Sequence, residues 1–279
     1  MAEPGSPDAT AAAGGEDYNV ANPVTWARAW MNDPLGGGLS GHWESLIESF
    51  RRKTPLGSVA PDFTGELLGG GRFTLSQHRG SKSVLVVFGS LACPPCVTNI
   101  STTKPSLVSL YEQYRGQVEI CYVYTREAHP GSKVVAHTSM EQKRANAATL
   151  RQMEGITFPL VIDTLDGAIQ RAWVDIQFNN PVFLVNRAGV VVYKSCWLDS
   201  SELPQVLEDV VMWDSRSPVD KTIKKAFSER IRPLREPFDT VANAKIKRLM
   251  EHIGLEQRAI GPIPGVESER ATDGKGGGR

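Results

Sequence analysis

Two of the four cysteines in this chain are separated only by two prolines, in the segment Cys93-Pro94-Pro95-Cys96 that follows a strand-like run. A C-x-x-C pair between a strand and a helix is typical of a thiol redox site. The unpaired N–H groups and partial positive charge of a helix N-terminus lower the pKa of a cysteine there below about 8.5. Pro95 disfavours helical angles at Pro94, so the helix is predicted to begin near Pro95, with Cys93 exposed at the cap. We expect Cys93 to be the nucleophile and Cys96 its resolving partner.

The same pair has two other interpretations, half of a zinc site or two inert buried thiols. Zinc requires two further ligands. Cys121 lies in a predicted strand and Cys196 follows another, and neither has a ligand partner at short spacing. We therefore expect no metal, and we predict that Cys121 and Cys196 are core thiols. No cofactor is expected beyond an external thiol or thioredoxin-type reductant.

The composition excludes several classes of protein. The 279 residues contain 31 basic and 31 acidic side chains, and a chain without net positive charge is a poor candidate for binding nucleic acid non-specifically. A hydrophobic content of 41% is enough for a packed core. No apolar run approaches the roughly 18 residues of a membrane span, and the N-terminus does not read as a secretory signal. We therefore expect a globular protein without a transmembrane segment, located in the cytoplasm.

Strand-like apolar runs alternate with amphipathic segments in the middle of the chain, which predicts an α/β sheet covered by helices on both faces. A helix over 138–153 is predicted to begin with a capping box, in which Thr138 is the N-cap and Glu141 its partner. Pro105 should break or kink the helical stretch 95–114. The remaining predicted strands cover 73–75, 83–88, 118–124, 159–163, 182–185 and 190–193, and the remaining helices cover 166–173 and 203–211.

The pattern changes at both ends of this region. The predicted organisation is a disordered tail over 1–17, a helical N-terminal extension over 18–54, the α/β domain over 55–213, a helical C-terminal extension over 214–254 and a disordered tail over 255–279.

Residues 55–213 resemble the thioredoxin-like superfamily, in its peroxiredoxin and TlpA-like redoxin branch, through the segment 57–63 and the C-x-x-C pair. A closer resemblance is to the iodothyronine deiodinase family. That family has Phe-Gly-Ser-x-x before a selenocysteine, which is similar to 88–92 with Cys93 in the selenocysteine position. Its later motifs resemble 124–130 and 137–141. The resemblance implies a thioredoxin-like fold, a central mixed β-sheet flanked by helices, and reductive deiodination of iodinated aromatics such as thyroxine.

The chain departs from the deiodinase pattern at four places. Cys96 stands where deiodinases usually have Phe, and Ala92 replaces a Thr. Asn180-Pro181 replaces a Glu-Arg pair, and Pro181 there resembles the cis-proline that faces the C-x-x-C of thioredoxins. The segment before residue 55 does not resemble the N-terminal membrane anchor of the family, and we expect none.

The resemblance also names residues that would support the cysteines. His129 is expected near the reactive sulfur, where it would bind substrate or relay a proton, since a histidine of ordinary pKa is both donor and base. Tyr124 would add its hydroxyl next to His129, or be an edge aromatic. Glu127 would orient His129, although a solvated loop acid is the favoured interpretation. The remaining candidates are Ser90, as a donor to the thiolate or simple turn chemistry, and His137, at the family's second histidine.

These observations predict a thiol-dependent oxidoreductase acting on a small molecule or a protein disulfide. Protein-disulfide reduction is favoured by Pro181 and the cysteine pair. A peroxidase would use the same Cys93, but Val86 stands where peroxiredoxins have a proline. A non-catalytic scaffold, in which helices over 219–254 bind a partner, is the third alternative, and a homodimer is also possible.

Overall fold

The computed structural model describes residues 40–175, 177–216, 228–230 and 240–254. Within these residues a single mixed sheet has the strand order β2-β1-β5-β4-β3-β6-β7-β8. The strands are β1 (Thr64–Leu67), β2 (Arg72–Thr74), β3 (Ser83–Gly89), β4 (Val118–Tyr124), β5 (Leu160–Ile162), β6 (Val182–Val185), β7 (Val191–Ser195) and β8 (Ser228–Arg230).

Seven α-helices accompany the sheet in the described part of the chain. They are α1 (Ser40–Arg52), α2 (Pro94–Ser101), α3 (Leu107–Tyr114), α4 (Met140–Glu154), α5 (Ala168–Trp173), α6 (Leu203–Arg216) and α7 (Thr240–Ile253). None of the helices in these described ranges is long and apolar enough to cross a bilayer.

The central strand β3 decides the topology. It pairs in parallel with β4 and antiparallel with β6, while β4 pairs in parallel with β5 and β6 pairs antiparallel with β7. A helical crossover from β3 to β4, followed later by an antiparallel β6–β7 hairpin and a closing helix, is the arrangement of a thioredoxin-like fold. The predicted fold class is therefore confirmed.

Two hydrophobic clusters cover the two faces of the sheet, because neighbouring strand residues point to opposite sides. Leu85, Val87 and Tyr122 pack on one face with side chains of α2, α3, α4, α6 and α7. Val86 and Phe88 pack on the other face with residues of α1 and α5. All seven residues of β3 are buried, which explains why its sequence is a continuous apolar run rather than an alternating one.

Several sequence predictions differ from the structure in detail. The helical stretch 95–114 is divided into two helices around Pro105, as predicted, but its first helix begins at Pro94 rather than Pro95. The N-cap of α4 is Ser139, whose hydroxyl accepts from Gln142 N, and the Gln142 side chain accepts from Thr138. The capping residues therefore lie one position later than the predicted Thr138 and Glu141, because Gln142, like a capping-box Glu, can reach back to an N–H.

The termini differ from the predictions as well. Strand β1 and the edge strand β8 were not predicted, and β8 lies within the segment 214–254 that was predicted to be helical. Gly254 follows α7 with a φ of 78°, as expected for a residue that ends a helix. The predicted disordered tails, 1–17 and 255–279, lie outside the described residues, as does most of the N-terminal extension.

Candidate redox site

The cysteine pair lies where the central strand β3 turns into helix α2. Cys93 is the N-cap residue, with φ −131° and ψ 99°, and Pro94 occupies the first helical position. This suits proline, since the N–H it lacks would have no partner there. The two sulfurs are joined as a disulfide, with Cα atoms 5.2 Å apart. Cys93 therefore lies at the positive end of the α2 dipole, which would stabilise a thiolate there.

Both cysteines are fully buried, and the prediction that Cys93 is exposed at the cap is wrong. Cys93, Cys96 and Ala128 form a small apolar cluster of their own. The loop that carries Ala128 folds back onto the turn before α2, where His129 N donates to Ala92 O over 2.9 Å. The sequence correctly predicts that Cys93 lies at a helix end. It does not predict the burial of Cys93, because the covering residue, Ala128, is 35 residues further along the chain.

Helix α7 packs beside α2 on the sheet face that holds the cysteines. Lys245 Nζ donates to Ser101 Oγ over 2.7 Å and forms an ion pair with Glu154. At the other end of α7, the backbone N–H groups of Lys133 and Val134 donate to Ile253 O. The C-terminal helix thus bridges the cysteine helix and the loop after His129.

The Glu127 carboxylate is the centre of a buried polar network behind the turn. Its Oε2 accepts from Ala92 N over 2.7 Å, and its Oε1 accepts from the Tyr124 hydroxyl. His137 Nε2 lies 3.0 Å from the same oxygen, and Asn146 Nδ2 donates to it over 3.2 Å. The Glu127 side chain is completely buried, so the favoured interpretation as a solvated loop acid is wrong. Its histidine partner is His137 rather than His129.

Tyr124 connects this network to the backbone of the turn. Its hydroxyl donates to Glu127 and accepts from Leu91 N over 3.2 Å. Burial, reinforced by the neighbouring Glu127 carboxylate, raises the pKa of Tyr124 well above its usual value, so the phenol keeps its proton. The network thereby fixes the conformation of residues 91 and 92, immediately before Cys93.

Ser90 lies in the turn between β3 and α2, and His129 lies in the loop after β4 that contacts this turn. The buried Ser90 hydroxyl accepts from Ala128 N over 3.1 Å, which is a structural role in tying the two loops together. The His129 ring is partly exposed, but its Nδ1 is buried. Burial, with a smaller contribution from the Arg126 charge, lowers the pKa of His129 to about 4. The ring is therefore uncharged at neutral pH, unlike the histidine of ordinary pKa that the sequence led us to expect.

The loop before β6 faces the other side of the disulfide. Cys96 Sγ lies 3.8 Å from Asn179 O, and Pro181 O accepts from Phe88 N over 3.0 Å. Arg126 holds this loop by donating to Asn179 Oδ1. Pro181 thus lies two residues after the carbonyl group that approaches Cys96. The Asn180–Pro181 bond is trans; among the described residues the cis bond is Lys104–Pro105.

Gly89 permits the close packing beneath the disulfide. A Cβ atom at this position would lie 2.9 Å from Cys96 Sγ and would overlap the Tyr122 hydroxyl. Tyr122 was not among the predicted site residues. The signal that could have found it is the two-residue period of a strand, which puts Tyr122 and Tyr124 on the same face of β4.

The remaining polar side chains contribute no metal site in the described ranges, where no group of three or more His, Cys, Asp or Glu residues is placed to hold an ion. Cys121 and Cys196 are buried in the core cluster opposite the redox pair.

Comparison with known proteins identifies the class to which this fold and cysteine pair belong. The sequence profile of the redoxin family matches residues 55–205, which is more than half of the chain. The chain therefore belongs to the redoxin family. No curated protein matches the chain. The family match supports the redoxin family and does not support the deiodinase family specifically.

Several solved structures are similar in fold. The thioredoxin domain of a thiol-disulfide oxidoreductase from Bacteroides vulgatus is 24% identical, with 56% of this chain and 97% of that chain covered and a TM-score of 0.42. A protein from Bacteroides thetaiotaomicron, provisionally assigned as a protein disulfide isomerase, is 21% identical over 58% and 93% of the two chains, with a TM-score of 0.45. A thiol:disulfide interchange protein of the thioredoxin family from Chlorobium tepidum is 18% identical over 56% and 97%, with a TM-score of 0.41.

Proposed function

We propose that this protein is a thiol–disulfide oxidoreductase that uses Cys93 and Cys96 as its working pair. In the reduced protein, the Cys93 thiolate attacks a substrate disulfide, forming a mixed disulfide and releasing one substrate thiolate, which takes up a proton. Cys96 then loses its proton and attacks Cys93 Sγ, which releases the second substrate thiol and closes the Cys93–Cys96 bond. An external dithiol or thioredoxin-type protein supplies the two electrons and two protons that reopen it.

The observation that carries this proposal is the Cys93–Cys96 disulfide at the N-terminus of α2. The helix N-terminus stabilises the thiolate of its cap residue more than that of a residue inside the first turn. This asymmetry assigns the attacking role to Cys93. The ordered turn before it, held by Glu127 through Ala92 N, keeps the sulfur in a fixed position.

The supporting residues have distinct parts in this proposal. Pro181 and its loop lie beside Cys96 and would offer backbone to a bound disulfide substrate. His129, which is uncharged at neutral pH, would act as a neutral hydrogen-bond partner rather than as a cation. The electron donor is expected to be a cytoplasmic thiol system.

Turnover of a protein disulfide tests the proposal. Insulin reduction would be followed with glutathione as terminal reductant, for the wild type and the Cys93→Ser, Cys96→Ser and Cys196→Ala variants. We expect the first two substitutions to lower the rate by about a hundredfold or more and Cys196→Ala to leave it near wild type. Equal rates for wild type and Cys93→Ser would overturn the proposal, and peroxide consumption by the same samples would point to a peroxidase instead.

A second candidate is reductive removal of iodide from an iodinated aromatic. The observation that favours it is the buried Glu127–His137 pair directly behind the turn that leads to Cys93. Cys93 would take the iodine as a sulfenyl iodide while a proton replaces iodine on the ring, and Cys96 would then displace iodide and close the disulfide. Because the pKa of His129 is lowered to about 4, His129 would not be the proton donor at neutral pH.

Iodide release from an iodinated phenol separates the two candidates. Iodide production that depends on Cys93, together with no insulin reduction, would replace the first proposal with the second. Insulin reduction without iodide release would exclude the second.

A further inference from the structure

Tyr122 has a fully buried hydroxyl that no side chain or backbone group of the described residues hydrogen-bonds. It lies on β4, in register with Val87 of β3, and its ring packs 6.2 Å from that of Phe158. Burying a hydroxyl without a hydrogen bond destabilises the state that contains it. In the structure, that state is the one with the Cys93–Cys96 disulfide closed.

The position of this hydroxyl relates it to the resolving cysteine. Both the Tyr122 oxygen and Cys96 Sγ lie within contact distance of the point where a Cβ of residue 89 would be. Since residue 89 is glycine, no side chain separates the hydroxyl from the sulfur. The Tyr122 hydroxyl and Cys96 Sγ thus converge on the space beside Gly89.

We propose that Tyr122 is a positioning residue for the redox pair, whose hydroxyl donates a hydrogen bond to Cys96 Sγ when the disulfide is reduced and so favours the reduced form. The inference rests on the proposed redox function of Cys93 and Cys96. Reduction by a dithiol adds two electrons and two protons to the disulfide and leaves a thiol on each cysteine. A disulfide sulfur is a weak acceptor. In the reduced protein Cys96 can lose its proton, and its thiolate then accepts a charge-assisted bond, so the hydroxyl gains most after reduction.

The protonation state of Tyr122 supports this role. Burial raises the pKa of its phenol, and the nearby acids Glu127 and Glu154 raise it further. The hydroxyl therefore keeps its proton and remains a hydrogen-bond donor at neutral pH.

The redox equilibrium of Tyr122→Phe tests the inference. Each protein would be equilibrated at pH 7 with mixtures of reduced and oxidised dithiothreitol, and the disulfide fraction read by alkylation and mass spectrometry. We expect the equilibrium constant for reduction to fall about tenfold, equivalent to about 30 mV for this two-electron couple. The matched control is Tyr111→Phe, whose ring also packs on Phe158, at 5.8 Å, and whose hydroxyl interacts with Glu119.

The outcomes separate this inference from the proposed function. A shift of less than about twofold for Tyr122→Phe, or an equal shift for Tyr111→Phe, would overturn the role of Tyr122. The redox equilibrium needs only dithiothreitol and no protein substrate. If Tyr122→Phe shows the expected tenfold fall but the wild type does not reduce insulin, the role of Tyr122 stands and the proposed function is overturned. Tyr122→Leu, which also removes the hydroxyl, should shift the equilibrium in the same direction. A wild-type protein that never forms the disulfide would overturn both.

Discussion

The lowered pKa of His129 predicts a specific loss of stability in acid. In the folded protein this pKa is about 4, against 6.5 for an ordinary histidine. Between those values the unfolded chain binds a proton that the folded protein does not, so the free energy of unfolding falls as pH falls. The slope is at most about 1.4 kcal/mol per pH unit. Allowing for solvent at the exposed part of the ring, the total is about 2 to 3 kcal/mol between pH 6.5 and pH 4.

The measurement compares wild type with His129→Gln, both with the disulfide closed. Urea unfolding at several pH values from 7.5 to 4.5 gives the free energy of unfolding of each protein. On acidification, we expect the free energy of unfolding to fall by about 2 kcal/mol more in the wild type than in the variant. Above pH 7, the free energies of unfolding of the two proteins should change with pH in the same way. His252→Gln, on the exposed side of α7, controls for removal of a histidine as such. Equal losses in wild type and His129→Gln would refute the assignment of a buried, neutral imidazole.

Two further predictions concern the packing around the disulfide. Gly89→Ala should lower the free energy of unfolding by about 1 to 3 kcal/mol, because its Cβ would overlap the Tyr122 hydroxyl; Gly116→Ala, where a Cβ meets no atom within 4 Å, should change it far less, and equal losses would contradict the close contact. Lys245→Ala removes the bonds from α7 to Ser101 and Glu154 and should speed reduction of the disulfide by a soluble phosphine about threefold or more. The same rate as in the exposed-site control Arg248→Ala would show that α7 does not limit access.

The central strands could be predicted because a strand that is buried on both faces has a continuous apolar sequence. The run 118–124 is predicted and observed with the same limits, and it lies between two other strands. The short strand β1, which lies between β2 and β5, has no such run. Its Gly65 packs directly against Val161, a contact that depends on the antiparallel pairing of β1 with β5. A strand of only four residues is determined by such distant partners, and the local sequence pattern does not predict it.

The redox pair could be predicted for a local reason, whereas its surroundings could not. Two cysteines at this spacing before a helix need only the neighbouring chain to form a site. The burial of Cys93 depends on the loop around Ala128, and the burial of Glu127 depends on Asn146 and Ala92. These contacts join segments 19 to 35 residues apart. The charge of Glu127 alone predicted an exposed side chain, and this prediction was wrong because distant segments of the chain bury it.

The central claim is that Cys93 attacks a disulfide and Cys96 resolves the adduct. The most direct measurement mixes the fully reduced protein with an equimolar disulfide-bonded peptide and identifies the products by mass spectrometry after acid quenching. We predict that Cys96→Ser accumulates a mixed disulfide between Cys93 and the peptide, while the wild type gives the Cys93–Cys96 disulfide and free peptide thiols. A Cys96→Ser protein that forms no adduct, or forms it at Cys121 or Cys196, would contradict the account.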